Sequence, residues 1–382
     1  ISDAIDEFFA VDAVNRTASS GRSTNWSLKK NLTPSGPSGI FRDEFRDNDG
    51  SKSNNKPIDV VIAWVDGSDP DLNKKRTGYL NPKQKKTFSG ADSTRFNSLN
   101  EISYCVLSIF KFAPFVRNIF IVTDNQNPNV HDLVQKYYPT RVSDIRIVDH
   151  TEIFKGYENH LPTFNSICIS NMLWAIEGLS NQFVYFNDDI FLVRPLNPSV
   201  WFQNNRPVLR GKWVFPPYER LLWEGLKSFF YKTFLRKKNK RAASFQVNQW
   251  NAALLQGFKF RYFRSGHTPL ALDKKRIRDY FMTHPEILEE NIKHRFRKFS
   301  QFNTVALANH LEYVSGNRNI ASSQAVYAQP KSHKKNYIEK KFNQFESDKR
   351  VLFLCIQSLD LASKSDQNKV FNNLNRILEV KI

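Results

Sequence analysis

Cysteine is scarce. Its three residues, Cys105, Cys168 and Cys355, stand far apart, each among apolar neighbours. That spacing excludes a disulfide framework and a zinc-binding pattern, and predicts three reduced core thiols. Long apolar runs are also missing. No stretch approaches the ~18 residues of a membrane-spanning helix. The first residues show no signal-peptide h-region, so neither a span nor a leader is expected. Acidic side chains are the third shortage, with 37 against 56 Lys and Arg, a net charge of +19. A chain this basic should meet an anion: nucleic acid, acidic lipid or a phosphorylated substrate. Nucleic acid is the least favoured of these. Apart from 258–264, the aromatic residues lie in strand-like and helix-like runs and are not interleaved with basic ones as a stacking platform requires.

A length of 382 residues suits one large domain or two ordinary ones. Residues 1–57, rich in Ser, Asn, Gly, Asp and Lys, read as an arm that is mobile or docks elsewhere. Its sequons at Asn15, Asn25 and Asn31 are what chance produces in such composition. Order begins at Ile58-Asp-Val-Val-Ile-Ala-Trp-Val65, a parallel-strand type of run broken by Asp66-Gly-Ser-Asp-Pro70. That break is either an ordinary Asp-Gly turn or a ligand loop at a strand's C-terminal end. Residues 74–92 read as a polar loop. Ile102, Val106, Ile109 and Phe110 recur at helical spacing after Arg95, Asn118–Thr123 makes a second strand, and Ile145–Val148 a third. A helix through Ile169, Met172 and Ile176 then stops at Gly178. Strands alternating with helices over 58–200 predict an α/β fold with a mostly parallel, Rossmann-like sheet covered on both faces. This is the GT-A-like architecture of nucleotide-sugar transferases.

The central stretch is Gln182-Phe-Val-Tyr-Phe-Asn-Asp-Asp-Ile-Phe-Leu-Val-Arg194. An aromatic, β-branched run meets Asn187, Asp188 and Asp189 before apolar character resumes. As a polar turn it would be unremarkable in chemistry. Buried between apolar runs, however, two adjacent carboxylates repel each other and lose hydration, and a divalent cation relieves both costs.

Positive charge collects further on. Residues 207–298 hold 21 Lys/Arg and 7 Asp/Glu, a surplus of 14 out of the total 19. Within them Tyr218–Arg241 reads as an amphipathic helix ending in Arg236-Lys-Lys-Asn-Lys-Arg241. Such a helix either lies on an anionic membrane or packs on the domain with a solvated basic end. His267 falls in a tight Gly-His-Thr-Pro loop, and Arg297 in a cationic cluster.

Five blocks come in an order that resembles the Stealth family: Asp59–Pro70, Arg95 with Glu101, Ala113–Asp124, Leu161-Pro-Thr-Phe-Asn-Ser166 and Tyr185-Phe-Asn-Asp-Asp189. Trp250-Asn251, the His267-Thr-Pro269 loop and Arg297 fit as well. That family includes bacterial capsule polymerases and the lysosomal-enzyme GlcNAc-1-phosphotransferase. The resemblance implies transfer of a sugar 1-phosphate from a UDP-sugar to a glycan or phosphoglycan hydroxyl, with UMP released; a metal-dependent glycosyltransferase releasing UDP is the alternative. It implies Asp188 and Asp189 as ligands of Mg²⁺ (or Mn²⁺), and Asp66, Gly67, Arg95, Asn165, Asn187 and Asn251 as substrate contacts. Arg297 would hold the diphosphate, and His267 would be general acid or base, with Asp188 or Asp189 able to serve instead. The expected location is the bacterial cytoplasm, with peripheral contact at the membrane's inner face. The implied layout is a 58–206 nucleotide-sugar core, a basic 207–300 acceptor region and a helical 301–382 part completing the site. The chain departs from the family at Leu107 (in place of an arginine), at Ser170 (a carboxylate), and at Gln357-Ser358 (Asn-Asp). These changes point to a different sugar or an impaired enzyme.

Overall fold

A computed structural model describes residues 56–80, 99–234, 244–330 and 336–382. The arm, Arg95 and the cations of 236–241 lie outside the described residues. The fold begins with strand β1 (Ile58–Ala63) and helix α1 (Pro70–Gly78). Helix α2 (Glu101–Phe112) and strands β2 (Val116–Thr123) and β3 (Ile145–Asp149) follow. Next come helix α3 (Ser166–Met172) and strands β4 (Gln182–Asn187) and β5 (Ile190–Leu192). The start of the expected 74–92 loop is thus helical. Asp69 caps α1 by accepting from the Asp71 N–H, and Pro70 supplies a first-turn residue that needs no donor.

Beyond these, helix α4 (Tyr218–Phe234) belongs to a compact unit separate from Asn55–Pro216 with Ala242–Ile382. The larger unit continues with α5 (Phe245–Leu254), β6 (Leu270–Asp273), α6 (Lys274–Thr283), α7 (Pro285–Ile292) and α8 (Thr304–Val314). It ends with β7 (Ala325–Ala328), α9 (Tyr337–Ser347), β8 (Phe353–Ile356) and α10 (Lys364–Leu378).

The central sheet runs β6-β4-β1-β2-β3, parallel except for the antiparallel β6. It is the expected α/β fold with a mostly parallel sheet. The strand period of two divides β1 between two cores. Ile58, Val60 and Ile62 join α2, α9 and α10 on one face, and Val61 joins α3, α6, α7 and α8 on the other. Burial on both faces explains the unbroken apolar run. The register aligns the strand exits: Ala63 pairs with Asn187 and Val122, and Thr123 with Asp149, so the C-terminal ends line one edge. One edge strand, β6, comes from the basic 207–300 stretch, which is therefore woven into the core sheet.

A smaller sheet, β7-β8-β5, carries the chain past the acidic pair. Cys355 in β8 pairs with Ile190 in β5, and the Ile356 N–H donates to the Asp189 carbonyl at 3.0 Å. All three cysteines are buried free thiols, as their apolar surroundings predict.

Asp59 is a carboxylate inside β1 that never reaches solvent. Arg117 grips it with two nitrogens at 2.9 and 2.6 Å, and the N–H groups of Ser180 (2.7 Å) and Asn118 (3.2 Å) donate to it. Asp59→Ala strands these backbone donors, each worth ~1–3 kcal/mol when buried and unsatisfied. The unfolding free energy is expected to fall by roughly 2–5 kcal/mol, read as a lower urea midpoint. A midpoint within error of the parent would refute this account.

Candidate functional site

Asp188 and Asp189 form the two-residue link between β4 and β5, where the chain leaves one sheet for the other. Apolar strand on both sides fixes them there, since Phe186 and Ile190 are both core residues. Burial raises the Asp188 carboxyl well above its ordinary range, with Asp189 and Glu101 adding repulsion. Burial and Glu101 likewise push Asp189 up to about 7, against hydrogen bonds from Cys355 and Gln357 that favour its anion. Asp189 Oδ1 is buried without a hydrogen-bond partner. Such an orphan oxygen beside a second carboxylate suits a hard cation that takes oxygen donors. Among the described residues, no three Asp, Glu, His or Cys side chains are gathered as a ready ligand set. Sequence reasoning did not give Glu101 a site role. Its signal was present as an acidic residue opening an otherwise apolar helix.

Three other segments converge on this link. Antiparallel pairing sets Leu270 of β6 against Tyr185, so the loop carrying His267 lies at the acidic end of β4. The His267 ring stacks between Phe245 (centroids 5.3 Å, 20°) and Tyr327 (4.9 Å, 26°), and burial lowers its pKa. Tyr185 donates to Asn187 Oδ1 at 3.1 Å. Burial raises the Tyr185 phenol, Arg297 pulls it down, and Asp188 and Asp189 raise it further. Arg297 therefore shares the field of the acidic pair. Its guanidinium also donates to Ser166 Oγ at 2.5 Å.

Asn165 and Asn251 hold that arginine's loop. Asn165 is fully buried and donates to the His294 carbonyl and Gln301 Oε1, both at 2.9 Å. Its Oδ1 accepts from the Ile167 N–H, capping α3. Asn251 donates to the carbonyls of Phe299 and Gln301, both at 3.0 Å. Both amides act on the 294–301 backbone and so set where Arg297 stands.

Asp66 and Gly67 occupy the loop after β1, beside the same sheet edge. The Asp66 carboxylate accepts from the Ser68 N–H (2.8 Å) and hydroxyl (2.6 Å). Gln126 clamps the Asp66 backbone in both directions at 2.9 Å, and the Gly67 carbonyl accepts from Asn73. Gln126, absent from the sequence-based site, makes this loop rigid. Nearby, Lys75 pairs with Asp124 at 2.7 Å. Buried His150 has both ring nitrogens unpartnered, and its pKa is lowered by burial.

The class so defined is an α/β protein with an acidic pair past its central strand and cationic and imidazole loops folded over it. Residues 56–82 match Stealth protein CR1, conserved region 1, and residues 95–209 match Stealth protein CR2, conserved region 2. The chain therefore carries Stealth conserved regions 1 and 2 in that order. It is 43% identical over 149 residues to the capsular polysaccharide phosphotransferase cps1A of Actinobacillus pleuropneumoniae, covering 39% of each chain. It is 31% identical over 274 residues to the exopolysaccharide phosphotransferase SCO6021 of Streptomyces coelicolor, covering 72% of this chain and 46% of that one. The chain thus spans about two fifths of the curated capsular relatives it matches. Among solved structures it is similar to galactosyltransferase LgtC in complex with donor and acceptor sugar analogs. That likeness has a TM-score of 0.40 at 10% identity, over 84% of this chain and 95% of that one.

The acidic pair makes stability depend on pH. An acid whose folded pKa is raised stabilises the fold fully only below its unfolded value, near 4, and that contribution is lost as pH rises through about 7. In EDTA the melting temperature should therefore drop from pH 4 to above 7. The drop should be smaller in Asp189→Asn, and parallel curves for the two proteins would rule out the shared-charge explanation.

Proposed function

We propose that this chain transfers a sugar 1-phosphate from a UDP-sugar to a hydroxyl of a glycan or phosphoglycan acceptor, in the synthesis of capsule or another cell-surface polysaccharide. The observation that carries the reading is the half-buried Asp188–Asp189 pair with the buried, unpartnered Asp189 Oδ1, placed at the strand exits. Two repelling carboxylates in low dielectric are an expensive arrangement that a cation and a bound diphosphate relieve. Asp188 and Asp189, with Asn187 beside them, would hold Mg²⁺ (or Mn²⁺). The remaining ligand positions would fall to substrate oxygens and water. Once bound, the ion supplies charge neutralisation at the diphosphate.

The remaining chemistry falls to this chain's own residues. The acceptor oxygen forms a bond to the phosphorus next to the sugar as the bond to the bridging oxygen breaks. UMP departs with that electron pair, and the acceptor proton passes to a base. In-line placement is the main requirement. Arg297, with its loop pinned by Asn165 and Asn251, would bind the equatorial oxygens in two-pronged fashion. The Asp66-Gly67 loop, clamped by Gln126, offers a rigid wall for the nucleotide, and Arg95 precedes α2 in the chain. His267 would face the reacting centre. The phosphotransferase names of the relatives support this reading, as does the order of the matched regions.

Assaying a panel of UDP-sugars with Mg²⁺ is the direct test. UMP is the expected product, and UDP in its place would mark an ordinary glycosyltransferase. Asp188→Asn and EDTA are each expected to abolish turnover while the far-UV spectrum stays unchanged. Full activity in EDTA would end the metal assignment.

The reaction would run in the bacterial cytoplasm, at the inner face of the plasma membrane. Among the described residues no helix is long and apolar enough to cross a membrane. Helix α4 exposes Leu222, Trp223 and Leu226, each about two-thirds accessible, and five cations of Arg236–Arg241 follow it in sequence. Each cation near an anionic leaflet contributes ~1 kcal/mol, so attachment should be reversible. Co-sedimentation with phosphatidylserine vesicles is expected to weaken as salt rises. It should be lost when the 236–241 cations become Ser, with turnover of a soluble acceptor retained. No binding even at low salt would assign the basic surplus to the acceptor groove.

A further inference from the structure

Two short strands, Lys212–Val214 and Tyr262–Arg264, pair antiparallel against the end of α8. They include part of the 258–264 stretch, where the sequence interleaves aromatic and basic residues. Val214 pairs with Tyr262, so Phe215 and Phe260 fall at the same end of this ladder. Both rings stand in solvent, 80% and 79% exposed. Beside them Arg261 lies over the Trp213 ring at 4.8 Å, and Arg318 lies over Tyr313 at 3.9 Å. Trp213 and Tyr313 meet edge to face with centroids 4.7 Å apart, which makes one row of cation, ring, ring and cation. Lys212, Arg261 and Arg318 are exposed, and among the described residues no carboxylate pairs with them. Residues 207–218 and 255–272 hold five Lys and Arg and not one Asp or Glu.

This combination selects its occupant. A guanidinium held flat on a ring keeps its N–H edge outward, and that fork matches the oxygens of a phosphodiester. An exposed phenyl face stacks on a flat apolar surface, such as the C–H face of a sugar ring. A bilayer calls for another layout, an apolar tip with cations at its rim. Here the cations lie among the rings. The ladder is also fixed relative to the candidate site. The Phe263 N–H donates to His310 Nε2 at 3.0 Å. Gln249 holds the Ser265 backbone in both directions, at 2.9 and 3.3 Å. Phe260 precedes His267 by seven positions, at most ~25 Å of extended chain.

We infer that this ladder is a subsite for the body of an anionic glycan, away from its reacting end. Phe215 and Phe260 stack on sugar rings, while Arg261 and Arg318 pair with phosphodiesters between the sugars. That the glycan is the acceptor rests on the phosphotransfer reading above; binding of a sugar–phosphate polymer here does not.

Fluorescein-labelled phosphomannan, a polysaccharide bearing phosphodiesters, would be titrated with the full-length protein in EDTA without donor, and binding read as anisotropy. The parent is expected to bind it, and to release it as salt rises. Mannan stripped of phosphate by mild acid and phosphatase should not bind. Phe215→Ser with Phe260→Ser, and separately Arg261→Gln, should each raise the Kd at least fivefold with a parent-like melting temperature. Should either fail to fold, Phe260→Ser alone changes one exposed ring and is expected to weaken binding in the same direction. Co-sedimentation with phosphatidylserine vesicles, assigned above to α4, should be unchanged in these variants. No phosphomannan binding by the parent at low salt, or parent-like affinity in the folded variants, overturns the inference. So does loss of vesicle binding with phosphomannan binding kept, which would make the ladder a lipid surface. Tighter binding of oligothymidylate than of phosphomannan, lost in the same variants, would make it a nucleic-acid surface and overturns it too. Because no turnover is read, UDP in place of UMP in the assay above leaves this result standing. UMP formation without phosphomannan binding would remove the subsite alone.

Discussion

Two adjacent carboxylates, Asp188 and Asp189, stand half-buried at the link between β4 and β5, and among the described residues no salt bridge reaches either. Elsewhere the fold treats buried acid differently. Asp59 is matched by Arg117, and Glu312 by Arg206 and Arg276 together. The contrast is what directs the proposed function to this link. In the proposed function that repulsion would be relieved by a bound cation.

The scaffold around it is made from distant parts of the chain. The acidic link belongs to the first two hundred residues. Imidazole and guanidinium arrive on loops near residues 267 and 297, and Cys355 arrives on β8 with Gln357 just past it. Each is placed by backbone pairing or by buried amides. β6 aligns the His267 loop, Asn165, Asn248, Asn251 and Gln301 fasten the Arg297 loop, and β5 receives β8. Small geometric errors in phosphoryl transfer are costly, and such anchoring limits them.

Much of the central sheet was legible because strands buried on both faces leave an unmistakable run of Val, Ile and Phe, as in β1, β2 and β4. The acidic pair was legible as two aspartates interrupting such a run, although the structure leaves both of them only half-buried. What sequence could not supply was pairing between remote segments. Nothing local in Gln357 tells that it faces Asp189 and His267, since that depends on β8 joining β5. Asn165 and Asn251 looked like substrate contacts in a motif, yet their amides are spent on the 294–301 backbone. Helix α1 was missed because Asp-Pro reads equally as a turn and as a cap followed by a first helical residue.

The junction of β5 with β8 also governs when the site exists during synthesis. β5 emerges with its acidic neighbours complete at residue 192, but its partner strand is not translated until 353–356. At a synthesis rate of up to ~20 residues per second, the ribosome leaves that interval open for on the order of ten seconds. Throughout it the nascent chain carries the carboxylates without the Ile356 N–H that binds the Asp189 carbonyl. The proposed site is therefore completed late in elongation, only when β8 has been made.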